Sequence, residues 1–337
     1  MGGKPCKTIM ILPTESISSN VTHDSVNIVR LQDMSKKKSI WCVVLVVNYG
    51  SHELIARNFS TLPRREDGVA MVVVDNLSTE AERREIRALC EERGWDLVTS
   101  GINLGFGTGV NVGVDYALDL DPETIVLLNP DAVIDASGLR QLADAVREDE
   151  QRLVCPRIED TAGKVFFAGA LLDMQTGGTL GASSPKRRAD GVYREWLTGA
   201  CLAFAPSLWR KLGGFSDDYF LYWEDVDFSF RAVHAGAELH YAPHILVVHD
   251  EGGTQQAGGQ RAKSEVYYYY NIRNRMLFAR TWLTGAEQSR WIRGSLRASW
   301  DVILRGGRRQ LLGSLAPWRA LVRGLYDGLQ DVRGPKR

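Results

Sequence analysis

Glu224, Asp225 and Asp227 follow directly on Phe220, Leu221, Tyr222 and Trp223. Carboxylates this close to large apolar side chains are expected at the wall of a pocket. Partial desolvation there raises a carboxyl pKa and suits the group to proton abstraction near neutral pH. The same acidic residues open a segment, 225–234, that reads as a helix, and acidic residues stabilise a helix N-terminus. Spacing alone is compatible with a base, with a capping cluster, or with both.

Three more polar residues stand where apolar, β-branched runs stop: Asn48 after 41–47, Asp75 after 69–74, and Asp131 in Asn129-Pro130-Asp131 after 124–128. A hard divalent cation held by phosphate oxygens needs only one or two protein carboxylates. Asp131 is therefore a candidate ligand for Mg²⁺ or Mn²⁺, and His249, ending a late strand, a candidate second ligand. A lone histidine is more often structural. Asp75 suits a hydrogen bond to a nucleobase or ribose, or else caps its loop. The run Gly105-Phe-Gly-Thr-Gly departs from the dinucleotide fingerprint in spacing, and it follows the third strand rather than the first. A hydride-transfer enzyme is disfavoured. The glycines either let backbone approach a ligand, pack a helix closely, or simply make a turn.

The elements that must position these residues alternate. Strands are predicted at 41–47, 69–74, 95–99 and 124–128, with helices at 52–62, 79–93 and from about 107 to 120. Buried strands separated by helices imply a doubly wound parallel sheet, with ligands beyond its carboxyl edge. Asn48, Asp75 and Asp131 all fall on that edge. The second half is less regular: strands at 153–156, 164–168, 196–205, 238–241 and 245–248, a loop at 176–191, and helices at 206–212 and 260–282. Residues 1–38 carry no helical or strand period and read as a loosely structured extension. From Glu287 two amphipathic helices are expected, broken at Gly306-Gly307 and Pro317. The divisions are thus 1–38, 39–285 and 286–337.

Composition narrows the class. With 337 residues, 44% hydrophobic, 24% charged and no net charge, the chain resembles an ordinary globular protein, and nothing in the total suggests nucleic acid. Its five cysteines are widely spaced without a Cys-x-x-Cys pair, which fits a reducing, cytoplasmic compartment. No run of about 18 apolar residues offers a spanning helix. Charge is local instead: residues 287–337 hold eleven Arg and Lys against four Asp and Glu, interleaved with Trp291, Trp300 and Trp318. Such helices commonly lie on anionic membranes, or else pack on the core.

Six stretches in order carry a resemblance: Val-Val-Asn-Tyr (46–49), Val-Asp-Asn-Leu-Ser (74–78), Asn-Leu-Gly-Phe-Gly-x-Gly-x-Asn-x-Gly (103–113), Leu-Leu-Asn-Pro-Asp (127–131), Leu-Thr-Gly-Ala-Cys-Leu (197–202) and the acidic stretch 213–227, with His249 beyond. Together they resemble the inverting glycosyltransferases of family 2, in their rhamnosyltransferase-like branch. The resemblance implies an α/β GT-A fold over 39–285, with nucleotide-binding and acceptor-binding halves and a C-terminal helical appendage. It implies Asp225 as general base with Glu224 beside it, and Asp131 at the second aspartate of the Asp-x-Asp metal motif. Asn129 stands at the first, so one anionic ligand is missing. His249 matches a late metal-binding histidine. Asn48, Asp75, Asn103, Gly105, Asn129, Asp131 and Arg273 would meet the nucleotide-sugar, and Trp223, Gly199 and Asn274 the acceptor. The donor is expected to be a nucleoside-diphosphate sugar, dTDP-L-rhamnose first, with UDP-sugars of galactofuranose, GlcNAc or glucose as alternatives. The acceptor is expected to be a glycan or polyprenyl-linked glycan of cell-wall or polysaccharide synthesis, met at the inner face of the membrane. A nucleotidyltransferase and a non-catalytic sugar-nucleotide-binding module are the rivals. The first should carry a Gly-rich basic loop where Asn48-Tyr49-Gly50-Ser51 stands, and the second should lack Asp131 and Asp225.

Overall fold

The computed structural model describes residues 26–29, 39–249 and 263–336. Its first half alternates as expected. Strands β1 (Val26–Val29) and β2 (Cys42–Asn48) precede helix α1 (His52–Asn58). Strand β3 (Val69–Asp75), α2 (Glu80–Arg93), β4 (Asp96–Ser100), α3 (Phe106–Leu118) and β5 (Thr124–Leu128) follow. Every residue of β2, β3, β4 and β5 is buried, as strands covered on both faces require. Helix α3 lies close on this sheet: a Cβ on Gly113 would stand 2.6 Å from both Leu45 and Val74 side chains.

The remainder comprises β6 (Ala132–Val133), α4 (Ala136–Glu148), β7 (Arg152–Asp160), β8 (Val165–Phe167), β9 (Ala170–Asp173), β10 (Thr179–Gly181), β11 (Tyr193–Trp196) and β12 (Cys201–Phe204). Then come α5 (Pro206–Leu212), α6 (Glu224–His234), β13 (Glu238–His249) and α7 (Glu265–Trp282). Four further helices close the described chain: α8 (Gly285–Arg293), α9 (Ser295–Leu304), α10 (Gln310–Gly313) and α11 (Ala316–Leu329). The main sheet runs β1-β4-β3-β2-β5-β12-β7-β13-β6, with β8 beside β7, and β10-β9-β11 form a small separate sheet. The strands β4-β3-β2-β5 are parallel; β12 and β1 run against them. This is a mixed sheet flanked by helices, the GT-A arrangement, with a helical C-terminal appendage.

Several local expectations change. Val26–Val29 pairs antiparallel with β4 although no strand was expected in 1–38; an edge strand needs a partner more than a period. The run 196–205 is not one strand. It divides at 197–200, because the Leu197 N–H goes to the Ser229 hydroxyl (3.0 Å) and the Gly199 N–H to Asp225 (3.2 Å) rather than to a neighbouring strand. Residues 238–249 form one strand rather than two, with its register shifting between Ala242 and Leu246. The loop expected at 176–191 contains β10. Helix α7 begins at Glu265 with Ser264 as its cap, and residues 260–262 of the expected helix lie outside the described residues. The appendage holds four helices where two were expected.

Candidate active site

Three neighbouring parallel strands end together. Asn48 on β2 stands in register with Asp75 on β3, and Asn129 follows β5 on the other side of β2. Asp75 is wholly buried, with Arg83 Nε donating to its Oδ2 at 2.7 Å. Burial pushes its carboxyl above the usual range against the pull of Arg83. Asn48 Oδ1 accepts the Ser51 N–H at 2.9 Å, fixing the turn into α1. Asn76, which the sequence reading gave no role, ties the next loop to this edge. Its amide nitrogen donates to Asn103 Oδ1 (3.1 Å) and to the Gly105 carbonyl (3.0 Å), and its oxygen accepts the Leu104 N–H (2.8 Å).

Gly105 itself adopts φ 83°, and a Cβ there would meet the Phe220 carbonyl oxygen at 2.2 Å. The close approach it permits is therefore to the chain's own 214–223 loop, where the Phe106 N–H donates to that carbonyl at 3.0 Å. Asn111 grips the same loop from α3, donating to the Phe215 carbonyl and accepting its N–H, each at 2.8 Å.

A cavity of about 490 Å³ opens at the junction of the two halves. The sequence-predicted residues Asn129, Asp131, Gly199, Glu224, Asp225 and His249 all line it. Its walls also include Leu221 and Tyr222 from the apolar run before Glu224, as expected, together with Phe166, Tyr267 and Lys263, to which the sequence gave no role. The antiparallel run of β12 returns the chain to the end of β5, where the Asn129 N–H donates to the Ala200 carbonyl at 2.9 Å. Pairing of β13 with β6 sets His249 opposite Ala132, so its Nε2 reaches Asp131 Oδ1 at 3.2 Å. The Phe166 ring stacks on His249 with centroids 4.5 Å apart and planes at 4°.

Asp131 and His249 are a pair: among the described residues no group of three or more His, Cys, Asp or Glu could hold a metal. Their 3.2 Å separation is close to the roughly 3 Å expected of two neighbouring ligands on an octahedral Mg²⁺-like ion. One carboxylate and one imidazole at this separation would fit as two ligands of a divalent cation.

Glu224 and Asp225 behave differently although adjacent. Asp225 Oδ2 accepts the Gly199 N–H at 3.2 Å and Oδ1 the Val226 N–H at 2.8 Å. Burial raises its carboxyl to about 6, while those two donors hold it down. Glu224 is buried and its Oε2 has no hydrogen-bond partner. Burial, and then the charge of Asp225, push its carboxyl well above the usual range. When two adjacent carboxyls compete for one proton, the one with N–H donors keeps the charge. Asp225 is that one, and Glu224, buried with no partner on its Oε2, is the carboxyl that burial and the Asp225 charge push up.

Seven expected site residues do not line this cavity: Asn48, Asp75, Asn103 and Gly105 stay at the strand edge beside it, and Arg273, Asn274 and Trp223 stand elsewhere. Arg273 is fully buried, spending its guanidinium on the carbonyls of Gly334 (2.5 Å) and Asp218 (3.4 Å) and on Asn274 Oδ1 (2.8 Å). Asn274 is equally enclosed and bonded to the loop before α6. Neither lines the cavity; a side chain packed beneath the loop cannot touch a ligand above it. Trp223 turns away from this cavity and lines a neighbouring one.

Comparison with known proteins agrees with this architecture. Residues 43–212 match the model of glycosyl transferase family 2, and the chain belongs to that family. It is a glycosyltransferase. The low-salt glycan biosynthesis hexosyltransferase Agl10 of Haloferax volcanii is 27% identical over 238 residues, 69% of this chain and 74% of that one. The N-acetylglucosaminyl-diphospho-decaprenol L-rhamnosyltransferase of Mycobacterium tuberculosis is 28% identical over 231 residues, 61% and 75%. In fold, the mannosyltransferase PcManGT of Pyrobaculum calidifontis, solved with GDP-Man and Mn²⁺, matches with a TM-score of 0.51 at 16% identity over 88% of either chain.

Proposed function

We propose that the chain transfers a sugar with inversion from a nucleoside-diphosphate donor to a hydroxyl of a glycan acceptor, with Asp225 as general base. The acceptor oxygen forms a bond to the anomeric carbon as the bond from that carbon to the diphosphate breaks. The bonding electrons leave with the diphosphate, and the acceptor proton passes to Asp225. The observation that carries this reading is the Asp225 carboxyl, accepting two backbone N–H groups at the wall of a cavity that also contains Asp131 and His249.

Asp131 and His249 would hold Mn²⁺ or Mg²⁺ against the donor diphosphate, the mixed oxygen and nitrogen set favouring Mn²⁺. When bound, the ion supplies positive charge where negative charge develops on the leaving oxygen. Asp75 and Asn48, at the ends of β3 and β2, take the nucleoside end, with Asn103 beside them. The acceptor enters on the side of Gly199, Tyr222 and Tyr267. Kinship with an L-rhamnosyltransferase named for a diphospho-decaprenol acceptor supports dTDP-L-rhamnose as donor and a polyprenyl-linked glycan as acceptor. No helix among the described residues is long and apolar enough to cross a membrane. The protein would reach such an acceptor from the cytoplasmic side, through its basic appendage.

A screen of nucleotide sugars, reading nucleoside diphosphate release with and without acceptor, tests the proposal. Release from dTDP-L-rhamnose that rises with an N-acetylglucosaminyl-diphospho-prenol is expected. Formation of a nucleotide sugar from a nucleoside triphosphate and a sugar phosphate, without any transfer, would overturn it.

A further inference from the structure

A second cavity, of about 360 Å³, adjoins the first and is lined by Arg188, Arg275, Arg290, Arg297 and Arg305 against the single carboxylate of Asp301. It lies between the 175–179 turn, α7, and a face formed jointly by α8 and α9. Arg290 on α8, Arg297 on α9 and Arg305 just past the end of α9 all reach this one cavity. Arg188 pairs with Asp173 at 3.3 Å. The other four arginines have no carboxylate partner within 4 Å among the described residues.

Arg275 is the most telling. It is 4% exposed, and it donates to two carbonyls only, those of Trp291 (3.0 Å) and Thr176 (2.6 Å). Its Nε has no partner, and its guanidinium carbon lies 4.8 Å from the centre of the Trp291 ring. Burying a cation without a counter-charge is costly, and gathering more cations around it adds repulsion. An arrangement of this kind is stabilised by an anion. Guanidinium forks match phosphate oxygens two at a time, which compact ammonium groups cannot do.

The position of the cavity says which anion. Tyr222 and Glu224 line the acidic cavity, whereas Trp223 between them lines the basic one. Arg305 Nη1 also receives no acid but donates to the hydroxyl of Tyr267, a wall of the acidic cavity, at 3.3 Å. A ligand presenting a sugar hydroxyl to Asp225 would carry its next substituent towards the arginines. We infer that this basic cavity binds the diphosphate group of the acceptor, one sugar removed from the bond being made. The assignment to the acceptor rests on the transferase reading; the diphosphate site itself does not.

Titration of the full-length protein with inorganic pyrophosphate and with geranyl diphosphate, in EDTA so that no metal-dependent donor site contributes, tests it. Saturable binding of both is expected, tighter for the prenyl compound. Arg297→Gln and Arg305→Gln, at exposed positions where folding should survive, are each expected to weaken binding about tenfold. Arg297→Lys should recover only part of the loss, since it keeps the charge without the fork. Affinity unchanged in both Gln variants would overturn the site. So would binding that requires Mn²⁺ and disappears in Asp131→Ala, because that places the anion on the donor side. Equal affinity for the two probes would overturn the acceptor assignment in favour of free pyrophosphate. Because the titration needs neither donor nor turnover, its failure is separable from failure of the transferase reading.

Discussion

The side-chain amide of Asn274 donates to the Tyr222 carbonyl at 2.7 Å, and also to that of Leu221 at 2.9 Å. Tyr222 and Trp223 take φ of 65° and 75°, two successive left-handed residues without a glycine. Each such residue costs about 1–2 kcal/mol, and the strain persists only where surroundings impose it. Asn274, with Arg273 beside it on the Asp218 carbonyl, imposes it from α7. Glu224 and Asp225 come next in the chain, so the clamp sets the direction in which both carboxyls leave the turn. Asn274 is thereby a positioning residue.

Asn274→Ala leaves two partly buried carbonyls without this donor and releases the strained turn. Stability in urea is expected to fall by about 2–4 kcal/mol. Below that transition, turnover should drop at least tenfold while donor affinity changes little. A variant that loses stability but keeps the wild-type turnover and pH profile would show that the clamp serves folding only.

Asp225→Asn should lower turnover by about 10² to 10⁴, the usual worth of a positioned base. Burial raises this carboxyl from its ordinary 3.8 to about 6. Between those values the folded chain binds a proton that the unfolded chain has lost, so this group costs stability as pH rises through that window. Removing it should therefore raise the melting temperature at pH 8 and leave it nearly unchanged below pH 4. Wild-type turnover should rise with pH through about 6. Near-normal turnover in the variant would transfer the base to Glu224 or Asp227. Asp227 is the weaker alternative, because Arg231 (2.9 Å) and the Trp282 indole (2.8 Å) already occupy it.

Chelation with EDTA is expected to stop transfer, with Mn²⁺ restoring it better than Mg²⁺. His249→Ala should weaken metal-dependent nucleotide binding by about tenfold or more, and Asp131→Ala further, as loss of one of the two proposed ligands implies. Calorimetry with a nucleoside diphosphate and metal reads this directly. Undiminished transfer in chelator would sink the metal pair and shift the diphosphate's counter-charge to cations such as Lys263.

The residues at the ends of buried strands were legible because a parallel sheet leaves a plain signature, continuous apolar runs that stop at a polar residue. Asp75, Asn48 and Asp131 were found that way. His249 was expected beside Asp131 as a second ligand, but the contact that brings them together was not legible, since it depends on β13 lying beside β6, distant parts of the chain. The left-handed turn at Tyr222 and Trp223 was equally hidden. Local propensity argues against aromatic residues there, and the clamp that overrides it sits some fifty residues further on. Arg273 misled for the converse reason: a charged side chain in a recurring pattern suggests a ligand, yet burial has turned it into a support for backbone carbonyls. The break at 197–200 was lost because its apolar residues fit a strand; only Ser229 and Asp225 divert its N–H groups.

One face of α11 packs closely on α7, where Gly324 meets Ile272 and Gly328 meets Met276, and the Asp327 carboxylate accepts the Tyr269 hydroxyl at 2.6 Å. The opposite side leaves Leu315, Trp318, Val322 and Tyr326 exposed in helical spacing, with Leu312 96% exposed just before them. Arg308, Arg309, Arg319 and Arg323 flank these residues. An apolar stripe bordered by arginines suits the interface of an anionic bilayer, where each basic residue contributes about 1 kcal/mol. Deleting the appendage would strip α7 and blur the result, so point changes on the exposed stripe are the better probe. Leu315→Glu with Val322→Glu should leave the melting temperature within a few degrees, as exposed sites do. Sedimentation with phosphatidylglycerol vesicles should fall severalfold, and transfer to a long-chain lipid-linked acceptor should slow more than transfer to a short soluble one. Equal slowing on both acceptors, or undiminished sedimentation, would leave the stripe to some contact other than a membrane.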